Sequence, residues 1–158
     1  MVISVQIKDK IWNILHSVMD PEIPVISLVD LGIIREIKTV SNRILIQISP
    51  TYSGCPALDV IPKMIQNALE KEGFPQTKVE YVLDPPWSTD WISEAGKKRL
   101  LEYGIAPPPS LSDQDTPVVC PHCRSEQTKM ISAFGSTPCK SMYKCRSCLE
   151  PFEQFKCL

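Results

Sequence analysis

The residues with the clearest chemistry in this sequence are two Cys-x-x-Cys pairs near its end. Cys120 and Cys123 form the first pair, Cys145 and Cys148 form the second, and 21 residues separate the pairs. Four thiolates on two tight turns suit a tetrahedral Zn²⁺ ion, which prefers sulfur ligands in closed structural sites. We therefore predict a structural zinc site at these cysteines, ahead of an iron–sulfur cluster and, last, a redox dithiol.

Three further residues near these pairs are not required as ligands. His122 lies inside the first pair, and because four cysteines already complete the site, we expect it to be exposed on the turn. Cys139 follows a turn rich in Gly, Ser and Pro, and its context leaves open whether it is a surface thiol or part of a second thiol site. Cys157 is left without an assigned role.

The remaining cysteine, Cys55, stands far from the others, between an apolar alternating segment and a proline. Pro56 suits the first position of a helix, which would make Cys55 the N-cap, where backbone amides favour the thiolate. Pro62 opposes this arrangement, because proline inside a helix clashes with the preceding turn. A helix that begins near Asp59 would leave Cys55 in the loop. An ordinary buried cysteine is the third alternative.

Hydrophobic periodicity predicts the elements that must position these cysteines. The first part of the chain is predicted to fold as an α+β domain with a small mixed sheet and helices, in the order α-β-β-α-β-α. The predicted ranges are 4–19, 33–40, 43–49, 58–71, 78–83 and 93–103. A strand, helix and strand in succession normally form a right-handed crossover, so the second and third strands should be parallel.

The C-terminal part is predicted to be a separate β-rich module. Residues 104–117 contain Pro107, Pro108, Pro109 and Pro117 and few apolar residues, which is typical of a semi-rigid linker. We therefore divide the chain into an assembly-like domain (1–103), a linker (104–117) and a four-cysteine zinc ribbon (118–158). Strands at 128–134, 142–144 and 152–156 would complete the ribbon.

Composition excludes some functions. The 158-residue chain has a formal net charge of −1, which gives no general basic character for binding nucleic acid. No apolar run approaches the ~20 residues of a transmembrane helix, and the N-terminus does not resemble a signal peptide, so a cytoplasmic location is expected. The two histidines are too few, and no Glu-x-x-His pattern is present, for the di-iron site of an oxygenase.

Three motifs resemble a known family. DPEIP at 20–24, DLGII at 30–34 and SPTYSGCP at 49–56 resemble the small iron–sulfur assembly domain family over about the first hundred residues. The whole chain, with DPPWSTDWI at 84–92, GSTPCKSMYKC at 135–145 and PFEQFKCL at 151–158, is similar to the family of D subunits of phenylacetyl-coenzyme A epoxidase systems.

The resemblance implies an accessory role in aerobic phenylacetate degradation. In this role the chain would assist the maturation of an iron–sulfur or di-iron centre without catalysing the epoxidation itself. It implies that Cys55 is the reactive thiol for cluster transfer, supported by Asp20 and Glu22, with an iron–sulfur cluster or iron held transiently. The implied partners are the oxygenase, which contains a di-iron centre, and the reductase, which contains flavin and a [2Fe–2S] cluster. A homodimer is also allowed.

Two other functional classes compete with this interpretation. A zinc ribbon can be an adaptor that binds nucleic acid or protein, but the charge and the lack of a basic stripe with interleaved aromatic residues make nucleic acid an unfavourable partner. A thiol–disulfide redox protein is the other alternative. Its Cys-x-x-Cys pair should open a helix in a βαβ unit, whereas both pairs here lie in a predicted β-rich tail.

Overall fold

The computed structural model describes residues 4–52 and 54–157, which fall into two compact units that divide between Trp87 and Ser88. The first unit has two α-helices and one sheet. Its elements are α1 (Val5–His16), β1 (Ile34–Val40), β2 (Arg43–Ile48), a 3₁₀ turn (Pro56–Asp59), α2 (Ile61–Lys71) and β3 (Thr77–Tyr81). The strand order is β1-β2-β3, with β1 antiparallel and β3 parallel to β2. The predicted α+β class and the parallel crossover are therefore confirmed.

The hairpin between β1 and β2 is closed by two residues in the left-handed region. Ser41 and Asn42 have φ values of 49° and 64°, and Val40 pairs with Arg43 across the turn. Two positive φ values define the type I′ turn, whose twist matches that of the strands it joins. Asn tolerates this conformation better than most residues, so the turn forms although it contains no glycine.

Apolar stripes on both helices build the core of this unit. Ile11 and Leu15 of α1 and Ile65 and Leu69 of α2 are fully buried, as is Ile46 in the central strand. The Ser4 hydroxyl accepts a hydrogen bond from the Ile7 amide at 3.3 Å and caps the start of α1. The helix ends at His16, three residues before the predicted end.

The second unit contains the last helix and a four-stranded sheet. Its elements are α3 (Glu94–Tyr103), β4 (Ile105–Ala106), β5 (Thr128–Ser132), β6 (Lys140–Cys145) and β7 (Pro151–Phe155), with 3₁₀ turns at Thr89–Trp91 and Leu111–Asp113. The strand order is β4-β7-β6-β5. The three predicted ribbon strands are present, and β6 begins two residues before its predicted start.

The division between the units lies before α3, whereas the sequence predicts a domain boundary after residue 103. The difference arises from β4, which lies inside the predicted linker 104–117. Ile105 and Ala106 are buried and pair in parallel with β7, and α3 packs against β4. A two-residue strand gives no periodic signal, so the prolines around it dominate the sequence pattern.

Among the described residues, no helix is long and apolar enough to cross a membrane.

Candidate functional site

The two Cys-x-x-Cys pairs meet at one point of the second unit. The Sγ atoms of Cys120, Cys123, Cys145 and Cys148 all lie within 4.8 Å of one another. The Cys120–Cys148 and Cys123–Cys145 sulfur pairs are separated by 3.7 Å and 3.5 Å. A tetrahedron with metal–sulfur bonds of about 2.3 Å has sulfur–sulfur edges of roughly 3.8 Å. The four sulfurs therefore fit a single tetrahedral ion.

Two matching turns present these sulfurs. Arg124 follows the first pair with φ 66°, and Leu149 follows the second with φ 68°. The amide of Cys120 donates to the carbonyl of Ser125 at 2.9 Å, and the amide of Cys145 donates to the carbonyl of Glu150 at 3.0 Å. The left-handed residue turns the chain back in each case, so that both sulfurs of a pair face the same point.

Backbone amides prepare Cys145 to be a thiolate. The amides of Cys148 and Ser147 point at its sulfur from 3.5 Å and 3.4 Å. They outweigh the effect of burial and lower the pKa of Cys145 to about 6. Without a metal, the pKa of Cys148 rises to about 12. The amide of Glu150 lowers this pKa, but desolvation and the hydrogen bonds with the neighbouring thiols together raise it by more. A bound cation must displace that proton.

The other cysteines of the second unit lie outside this cluster. Cys139 places its sulfur 3.1 Å from the Thr137 hydroxyl, and Cys157 lies 3.7 Å from the Thr89 hydroxyl. Both side chains are half-buried, and neither belongs to the described group of potential metal ligands. His122 is exposed, as the sequence indicates.

In the first unit, Cys55 precedes a single 3₁₀ turn. Its side chain is half-buried and does not cap the turn. Pro56 begins the turn, and α2 starts only at Ile61, with Pro62 in its first turn. The later of the two predicted helix starts is therefore the better description, because Pro62 lacks an N–H and is tolerated only in the first turn.

Tyr81, which sequence reasoning did not single out, lies next to this cysteine. Its hydroxyl donates a 2.6 Å hydrogen bond to the carbonyl of Leu58, and the Leu58 amide donates to the carbonyl of Cys55. Burial, followed by the negative charges of Cys55 and Asp59, raises the pKa of Tyr81 to about 12. The sequence does contain a signal for Tyr81. It lies near the end of a strand predicted to be parallel to β2, and the chain that leaves β2 at that same end leads to Cys55.

The acidic residues proposed to support Cys55 differ in their surroundings. Asp20 is only 6% exposed, and its Oδ1 accepts hydrogen bonds from the amides of Glu22 and Ile23, both at 2.8 Å. Its carboxylate therefore holds its own loop in shape. Glu22 is exposed.

The loop that contains Asp20 and Glu22, which we call the acidic loop, and the loop that contains Cys55 join the same end of the sheet. The Ser49 amide donates to the carbonyl of Ile33 at 2.9 Å, and Ile34 pairs with Ile48. The chain before Ile34 carries the acidic loop, and the chain after Ser49 leads to Cys55. Trp87, 5% exposed, donates from Nε1 to the carbonyl of Leu31 at 3.0 Å, so one tryptophan of the 84–92 segment packs on this unit.

Comparison with known proteins gives the two parts of the chain separate relationships. Residues 8–82 match the family described as an iron–sulfur cluster assembly protein, and residues 105–156 match the PaaD zinc beta ribbon domain. The D subunit of a putative 1,2-phenylacetyl-CoA epoxidase of Escherichia coli strain K12 is 44% identical over 152 residues, which cover 94% of this chain and 92% of that protein.

This chain belongs to the family of phenylacetyl-CoA epoxidase D subunits. An "Fe-S protein maturation auxiliary factor" of Porphyromonas gingivalis is 30% identical over 102 residues, covering 63% of this chain and 93% of that protein. The crystal structure of a domain of unknown function from Bacillus anthracis covers 60% of this chain and 92% of that structure, with 26% identity and a TM-score of 0.55. This chain thus joins a part that matches the iron–sulfur cluster assembly family to a part that matches the PaaD zinc beta ribbon domain.

Proposed function

We propose that this chain is an accessory component of a phenylacetyl-CoA epoxidase system, acting in phenylacetate catabolism, that helps to mature an iron–sulfur or di-iron centre of a partner protein. The observation that carries the proposal is the similarity to the Escherichia coli protein along nearly the whole of both chains. The similarity of the first unit to iron–sulfur maturation factors supports the same role.

In this proposal Cys55 is the residue that receives the cargo. A thiolate can bind an iron atom while a ligand of the donor leaves, and such an exchange requires no change of oxidation state. The half-buried position of Cys55 before a short turn supports this role, because the sulfur is partly accessible. Asp20 would act by holding the acidic loop, and the exposed carboxylate of Glu22 would meet the cargo or the partner.

The ribbon would hold a resident Zn²⁺ ion that stabilises its fold. The close spacing of the four sulfurs leaves room for one ion and favours zinc over a polynuclear cluster. It also disfavours the redox alternative, in which each Cys-x-x-Cys pair would act by itself. The partners would be the oxygenase or reductase subunits of the epoxidase, and a homodimer would be compatible with the role.

Complementation in a strain that lacks this chain tests the proposal. Wild type, Cys55→Ser and the matched control Cys139→Ser are expressed at equal levels, since both variants replace one half-buried thiol. We expect Cys55→Ser to lower epoxidase activity to the level of the empty strain, together with the iron content of the oxygenase or the [2Fe–2S] content of the reductase. Cys139→Ser should behave like wild type. Full activity and full metal content with Cys55→Ser would contradict the proposal.

A further inference from the structure

One face of the ribbon combines exposed apolar side chains with three cations. We name it the ribbon face and define it by Lys129, Ile131, Lys144, Arg146 and Leu149, which, with Cys145, line an open concavity of about 530 Å³. No acidic side chain is among these lining residues. Ile131 and Leu149 are 56% and 65% exposed, so the concavity presents two large aliphatic side chains to solvent.

The charges of the ribbon face are poorly balanced. Lys129 of β5 lies directly opposite Lys144 of β6 in the antiparallel register. Like charges in directly opposed positions destabilise a sheet. In the part of the chain that the structure describes, neither lysine nor Arg146 forms an ion pair. An acidic partner would remove this repulsion.

The backbone at Leu149 determines how this residue contributes to the ribbon face. Its φ of 68° places a large side chain in the left-handed region, where glycine or asparagine is preferred. This conformation closes the second cysteine turn and leaves the Leu149 side chain exposed on the ribbon face. Arg124 occupies the equivalent position after the first cysteine pair, with φ 66°, but lines a different concavity. It therefore provides a matched comparison.

We propose that the ribbon face is a docking site for an acidic protein surface with an exposed apolar side chain at its centre. Carboxylates of the partner would pair with Lys129, Lys144 and Arg146, and its apolar residue would pack on Ile131 and Leu149. Nucleic acid is the less favoured ligand, because the face has no aromatic side chain on which a base could stack. This inference concerns the surface alone and does not rest on the maturation role.

The test measures binding to the zinc-loaded full-length chain. The probes are an amphipathic peptide with glutamates around a leucine centre, a polyglutamate peptide of equal length and single-stranded oligo-dT. We expect the amphipathic peptide to bind most tightly, with an affinity that falls as salt rises. Lys144→Glu should weaken its binding at least about tenfold, because it removes one charge and introduces the opposite one. Leu149→Gly should weaken it less.

The same variants are also expected to change stability and peptide binding in opposite directions, which separates a loss of binding from a loss of folding. Lys144→Glu and Leu149→Gly should each raise the urea midpoint of the zinc-loaded chain, since one removes a repulsion and the other removes backbone strain. Arg124→Gly likewise removes a cation and relieves the backbone strain of a side chain in the left-handed region, yet it should leave peptide binding unchanged. Tighter binding of oligo-dT, no binding of the amphipathic peptide, or an equal loss of peptide binding with Arg124→Gly would each overturn the proposal.

Discussion

The two units present cysteine in opposite ways. In the ribbon, the chain brings four sulfurs within 4.8 Å of one another and fits them to one tetrahedral ion. In the first unit, Cys55 offers one sulfur at a loop that a single 3₁₀ turn follows. A complete ligand set suits a resident ion that stabilises a fold, whereas one thiol suits an exchange in which a donor or partner supplies the other ligands. Under the proposed function, the two arrangements of thiols would hold a metal for different lifetimes.

The largest expected effect is the loss of one ribbon cysteine, which should affect the second unit and not the first. Cys145→Ser removes the thiolate with the lowered pKa and should abolish zinc binding and unfold the ribbon, because zinc binding contributes about 10–16 kcal/mol to such small modules. Residues 4–52 and 54–87 should retain their cooperative unfolding transition, since all four ligands lie in the second unit. Zinc analysis and circular dichroism check this prediction. Loss of the unfolding transitions of both units would show that the first unit also depends on the ribbon metal.

A smaller effect should come from a part of the ribbon that does not bind metal. Lys140 is buried and its Nζ lies 2.8 Å from Oε2 of Glu153. Lys140→Met leaves that carboxylate without its partner and should destabilise the second unit by about 3 kcal/mol, at unchanged zinc content. Lys98→Met is the matched control, because its pair with Glu102 is exposed and should contribute less than about 1 kcal/mol. Urea unfolding of the zinc-loaded protein at pH 7 measures the loss of stability in each of the two variants.

The smallest effect concerns the turn after Cys55. Tyr81→Phe removes the hydrogen bond to Leu58 and should cost the first unit about 0.5–1.5 kcal/mol. The pKa of Tyr81 is raised to about 12, so the fold favours the neutral phenol. Its contribution is therefore complete below pH 10 and is lost as the pH rises through about 12. The difference between wild type and Tyr81→Phe should be the same at pH 7 and pH 9 in urea unfolding, and a difference that grows between these values would contradict the assignment.

The ribbon site could be predicted because its information is local in sequence. Two residues between the cysteines of each pair are enough to place both sulfurs on one turn, so spacing alone identifies Cys120, Cys123, Cys145 and Cys148. The main elements of the first unit were predictable for a similar reason. The stripe that includes Ile65 and Leu69 and the alternation around Ile46 have the periods of a helix and a strand.

The surroundings of Cys55 could not be predicted, because they depend on residues that are distant in sequence. Pro56 and Pro62 each suit a helix start, and only the fold decides that the first begins a 3₁₀ turn and the second lies in the first turn of α2. Tyr81 reaches Leu58 across 23 positions of the chain. The strand β4 was missed because pairing with β7, rather than propensity, fixes a strand of two residues.

The measurement that tests the central claim most directly is the metal content of wild type, Cys55→Ser and Cys145→Ser after anaerobic incubation with ferrous iron and sulfide. Zinc and iron are counted per chain after unbound metal is removed. We predict about one zinc in wild type and in Cys55→Ser and none in Cys145→Ser, since the ribbon ligands alone hold the resident ion. With the added sulfide supplying the ligands that a single thiol lacks, iron should bind to wild type and Cys145→Ser but not to Cys55→Ser. Loss of zinc from Cys55→Ser, or undiminished iron on it, would contradict the assignment of separate roles to the two kinds of cysteine.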